Sequence, residues 1–181
     1  MTSQLTDSQK LEWFKKEFRP HFDEWVVDTA SRMVNARDDV GVAMPAFIWL
    51  ACGIDWLAGF RSEESDSNTK SYTGFIKEYF PSTYDPKKLY DSLRNGLIHS
   101  FTIKKGQYAL IHRHPELHFA SNNQSEILNL ENFFQDWINA KNKFFDDIER
   151  NPDKLDRAFQ RHQRDGFLGL IQISFNNQTS N

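Results

Sequence analysis

One cysteine, Cys52, stands among 181 residues. That excludes an internal disulfide and any zinc site built from several thiolates. It fits a reducing compartment, so a cytoplasmic location is the expectation. There is no excess of positive charge either. The net charge of −3 means that contact with nucleic acid must come from a local patch or from the symmetry of a dimer. The chain carries no glycine loop that cradles phosphate, no serine nucleophile elbow and no kinase signature. The opening MTSQLTDSQK has no apolar core of a signal peptide. The longest apolar run, Val40 to Phe60, is broken by Gly41, Pro45, Gly53, Asp55 and Gly59. A buried helix accounts for it better than a membrane span does, and no membrane contact is expected. Internal repeats and low-complexity tracts are missing as well.

What is present is aromatic. Sixteen phenylalanines and five tryptophans favour a packed core with an aromatic contact surface, within one domain over residues 1–181. Thr6 to Asn35 reads as a long amphipathic helix, with Leu11, Phe14, Phe18, Phe22, Trp25, Val26, Thr29 and Met33 at helical spacing. Pro20 is placed to kink or split it. Pro45 to Phe60 is a second helix, apolar almost all round and therefore central. Its Gly53 and Gly59 suit close neighbours. Asp55 is the exception on that helix, with two readings: its carboxylate faces a polar gap or the surface, or it pairs with Arg94 and fixes the guanidinium. Arg61 to Lys70 is a polar loop, and Tyr72 to Phe80 is a short third helix ended by Pro81.

A fourth helix opens at Asp85-Pro86, a capping carboxylate followed by a proline at the first helical position. Leu89, Leu93 and Leu97 form its apolar face. Beyond it, Phe101 to Ile111 reads as a small antiparallel β-hairpin turning at Lys104-Lys105-Gly106. Tyr108, Leu110, His112 and His114 alternate on one strand face. Ala120 to Ser125 is a polar loop. Leu130 to Ile148 keeps a strong 3.6-residue period with Asn129 as its cap. Asn151-Pro152 begins a last helix that Gly166 stops. The tail from Leu168 to Phe175 is either a third strand of the hairpin or a docked extended segment. The fold class expected is mainly α, a helical bundle carrying a small β element.

The fourth helix also carries chemistry. Asn95 and His99 are four residues apart, so they share a helix face, and Arg94 borders it about 100° away. Arginine holds phosphate with a planar, always charged fork. Histidine moves protons near neutral pH. RNA brings its own nucleophile, the 2′-hydroxyl, so such a pair needs no metal. Asp55 is the acid that would steady Arg94. A second cluster, His112, Arg113, His114 and His118 with Lys104 and Lys105, reads as an RNA-backbone contact or a solvated hairpin. A metal site there lacks cysteine, and Glu116 is the one nearby acid.

Arg94-Asn95-Gly96-Leu97-Ile98-His99 has the form R-N-x-x-x-H and resembles the signature of the HEPN superfamily (higher eukaryotes and prokaryotes nucleotide-binding domains). The resemblance implies a helical bundle that dimerises. It implies a metal-independent endoribonuclease with a composite site across the dimer, formed by Arg94, Asn95 and His99. It also implies a toxin or phage-defence role with an antitoxin or other partner protein. No cofactor is expected. The alternative is a non-catalytic helical module that binds RNA or protein, in which the motif is structural.

Overall fold

The computed structural model describes residues 5–36, 40–61, 69–103, 107–122 and 124–166. It is mainly α, a bundle of six helices beside a small sheet. Helix α1 covers residues 7–35. It opens at a reciprocal capping box between Thr6 and Gln9. Pro20 does not split it. The turns Phe14–Phe18 and Asp23–Val27 are π-helical, and the Arg19 N–H reaches back to the Phe14 carbonyl. A wide turn just before Pro20 absorbs the hydrogen bond and the space that the proline ring denies an α-helix.

Helix α2 (Ala43–Arg61) lies at the centre and packs on all five other helices. It is long and apolar enough to cross a membrane by length and composition, yet more than half of it is buried inside the bundle. Leu50, Ile54 and Leu57 are fully buried, each contributing about 1.5–3 kcal/mol. Gly53 faces Trp137, whose ring would lie 2.8 Å from an added Cβ. Among the described residues the outward stripe of α2 is open: Met44 and Cys52 are exposed, and Trp49 and Trp56 are partly so.

Helix α3 is Thr69–Tyr79, and α4 covers residues 86–98. Asp85 caps α4 by accepting from the N–H groups of Lys87 and Lys88, both at 2.9 Å. Helix α5 (Leu130–Arg150) is capped by Asn129, whose side chain accepts from the Asn132 N–H at 3.1 Å. Helix α6 (Pro152–Asp165) starts at Asn151 and stops at Gly166, whose φ of 73° is in the left-handed region. Lys141, almost wholly buried on α5, reaches Asp23 on α1 at 2.5 Å and joins the two helices.

The β element differs from the expected antiparallel hairpin. Strand β1 (Tyr108–Ile111) pairs in parallel with β3 (Ser125–Asn129), Tyr108 opposite Glu126. The short β2 (Ser121–Asn122) joins the far side of β3 antiparallel, giving the order β1-β3-β2. A parallel pair needs a long crossover. The segment after Ile111 supplies it, including a 3₁₀ turn at Pro115–Leu117 and the strand β2. So 120–125 is not merely a loop: β2 and the start of β3 fall within it, and β3 runs directly to Asn129, the cap of α5. The turn expected at Lys104-Lys105-Gly106 and the tail segment 168–175 lie outside the described residues. The sheet docks on α4 through Lys88, which meets Glu126 at 2.9 Å and lies over the Tyr108 ring. Tyr90 and Tyr108 are both core residues.

His118 is held inside the crossover. Its Nδ1 accepts from the Asn129 N–H at 3.1 Å, and its Nε2 lies 3.2 Å from the Tyr84 hydroxyl. Burial lowers its proton affinity below that of a free histidine, and burial does the same to His162. An unfolded chain takes up these protons near pH ~6.5, whereas the folded chain resists them until lower pH. This stability is therefore present above the unfolded value and is lost as the pH falls below it. The melting temperature is expected to drop between about pH 7 and about pH 5.5. His118→Asn, which keeps an acceptor in place of Nδ1, should flatten that slope; an unchanged slope would contradict the assignment.

Candidate functional site

Helix α4 begins as an α-helix and continues from Tyr90 to Ile98 as a π-helix. The wider turn changes which residues stack. In an α-helix Asn95 would lie over His99; in a π-helix residues five apart come into line. Arg94 therefore meets His99, with the guanidinium Nη1 against the imidazole Nε2. Asn95 turns away and donates to Asp91 at 3.4 Å. The expected Asn95–His99 pair is thus replaced by an Arg94–His99 pair. A guanidinium only donates, so Nε2 accepts here and the ring proton sits on Nδ1.

Gly96 makes the local path possible. After His99 the chain folds back over α4, with Phe101 at a φ of 51° and the Thr102 N–H on the Gly96 carbonyl at 3.3 Å. A Cβ on Gly96 would stand 2.6 Å from the Thr102 carbonyl oxygen and 3.1 Å from that of Asp91. Both are backbone atoms with little room to yield. Gly96→Ala is expected to lower stability by about 1–3 kcal/mol and to displace His99. Chemical denaturation checks it, and an unchanged midpoint would contradict it.

Asp55 on α2 stands across from the motif. Its Oδ2 is 3.6 Å from Arg94 Nε, and both side chains are about a quarter exposed. Carboxylate, guanidinium and imidazole thus form one chain from α2 to the end of α4, with His99 exposed. These groups line an open cleft of about 500 Å³ together with Cys52, Trp56, Ile98 and Arg161.

Arg161 and Cys52 were not singled out by the sequence as members of this site. Arg161 comes from α6, where it donates to the Gly59 carbonyl at 2.8 Å and lies over the Phe60 ring. An added Cβ on Gly59 would stand 2.6 Å from its guanidinium carbon. The glycine on α2 is the seat of that arginine, and it was the one sequence signal available. The cleft therefore holds two guanidinium groups, each with a carboxylate beside it: Asp55 by Arg94 and, 3.4 Å from Arg161 Nε, Asp165. What they offer an anion is donors in a planar fork rather than net charge. Cys52 is open to solvent as a residue, but partial desolvation of its thiol and the nearby Asp55 carboxylate push the thiol up, so it is a weak nucleophile here.

The second expected cluster does not flank this cleft. His112 and Arg113 border another cleft of about 430 Å³ with Glu131, Ala43 and the end of α1. Ala43 is about 18 Å from Asp55 along α2, at 1.5 Å per residue. Strand β1 ends at Ile111, so His112 and His114 do not share a strand face. Arg113 adopts a φ of 65°, and its N–H donates to Glu131 at 2.8 Å. His114 pairs with exposed Glu116 at 3.2 Å. Lys104 and Lys105 lie outside the described residues. Among the described residues no group of three or more histidines, cysteines and acids is placed to hold a metal. Comparison with family models, curated proteins and solved structures finds no match to this chain.

Proposed function

We propose that the chain is a metal-independent endoribonuclease of HEPN type, acting on RNA in the cytoplasm as a homodimer. The observation that carries the reading is the direct contact of Arg94 with His99 in an open cleft, with Asp55 behind the arginine. A phosphate oxygen is a stronger acceptor for a guanidinium than an imidazole nitrogen is. On binding RNA, Arg94 turns from His99 to the scissile phosphate and frees Nε2. His99 takes the 2′-hydroxyl proton, the 2′-oxygen attacks the adjacent phosphorus, and the 5′-oxygen leaves. The products are a 2′,3′-cyclic phosphate and a 5′-hydroxyl end. Arg94 and Arg161 offset the charge that builds on the phosphate. The second copy brings its own motif, and its histidine protonates the leaving oxygen. Phe101, 68% exposed at the end of the motif helix, is the apolar side chain such a partner would cover. A toxin or phage-defence role with an antitoxin partner is the biological setting that the motif suggests.

A second reading is favoured by the Asp55–Arg94 contact alone: a helical binding module in which Arg94 ties α4 to α2. Incubating the purified protein with single-stranded RNA in excess EDTA separates the two. Cleavage supports the enzyme, and intact RNA supports the module.

A further inference from the structure

A slot opens beside the cleft of Arg94 and His99 and shares two of its walls. It holds about 210 Å³ between α1 and α2 and is almost wholly apolar. Phe22 and Val26 line it from α1, and Trp49, Cys52, Gly53 and Trp56 from α2. Cys52 and Trp56 border both the slot and the cleft that contains Arg94, His99 and Arg161. The rings are already held in place. Trp56 stacks on Phe22 at 5.1 Å with an interplanar angle of 14°. Trp49 donates its indole N–H to the Val26 carbonyl at 3.0 Å. Trp49 is therefore fixed with its polar atom spent, and what it offers the slot is ring surface.

We propose that this slot receives one nucleobase of the polynucleotide whose phosphate is held at Arg94 and Arg161. The proposal rests on the ribonuclease reading of the cleft and adds a base subsite to it. An apolar recess lined by indole rings, sharing Cys52 and Trp56 with the cleft that holds Arg94 and Arg161, matches the two ends of a nucleotide: a ring that stacks and a phosphate that takes charge-assisted hydrogen bonds. The indole N–H of Trp49 is already engaged, so the slot holds a base through its face rather than its edge. It therefore accepts all four bases, with the larger purines held more tightly.

Adenosine 5′-monophosphate and ribose 5-phosphate differ only in the base, so their binding to the full-length protein tests the slot. Both are titrated by calorimetry and by tryptophan fluorescence. The nucleotide is expected to bind about tenfold more tightly and to quench fluorescence. Trp49→Ala should erase that difference while leaving the weaker binding driven by phosphate. Alkylation of Cys52, the sole cysteine, blocks the same slot in the unmutated chain, so the result does not depend on the variant's folding. Equal binding of the two ligands overturns the proposal, as does a difference that survives both Trp49→Ala and alkylation. A Trp49→Ala chain altered only in sedimentation also overturns it and assigns the slot to a second copy of the chain. RNA cleavage without any effect of the base sinks the slot alone. Absence of both cleavage and phosphate binding sinks the cleft reading, and the slot with it.

Discussion

His99→Ala is expected to lower RNA cleavage by about 10²–10⁴-fold, the usual contribution of a positioned general base. The argument rests on placement. His99 is exposed at the end of α4, and Arg94 is its side-chain contact. Its removal leaves no core cavity, so the change in stability should stay within about 0.5 kcal/mol. A large loss of turnover with an unchanged melting temperature is the pattern that chemistry predicts. Equal turnover by both proteins would remove His99 from the mechanism. A matched loss of folding and activity would make it a structural residue.

Arg94→Ala should cost about 10²–10³-fold in turnover, as removal of a charge-stabilising donor does elsewhere. Arg94→Lys is expected to recover little of it. The guanidinium meets Asp55 through Nε and His99 through Nη1. An ammonium is a compact charge without that planar fork. Stability should fall by about 1–3 kcal/mol in Arg94→Ala, because Asp55, about a quarter exposed, is left without that guanidinium. Single-turnover cleavage with calorimetric melting of both variants measures the two effects. Full activity in Arg94→Lys would show that charge alone suffices. A protein that unfolds on Arg94→Ala would favour the binding module.

The helices were legible because their ends carry chemistry that acts locally. Asp85 with Pro86, Asn129, Asn151 with Pro152, and Gly166 all sit at the ends they signal. The sequence also named Arg94, His99 and Asp55 together, since a buried acid on an apolar helix needs a cation. The register of α4 was not legible. A π-helix shifts hydrogen bonding by one residue without demanding any residue type, and that shift exchanged Asn95 for Arg94 as the partner of His99. Strand pairing was hidden for a related reason. The alternation in β1 fits a parallel neighbour as well as an antiparallel one, and β3 merges into the periodic pattern of α5. Arg161 is 102 residues from the Gly59 carbonyl that seats it, a separation that no local pattern spans.

The most direct measurement sets a single-stranded RNA beside the same oligonucleotide methylated at every 2′-oxygen, both with the purified protein in excess EDTA. The account predicts that only the RNA is cut and that its fragments end in 2′,3′-cyclic phosphate. RNA that stays intact, or equal cutting of both strands, would contradict it.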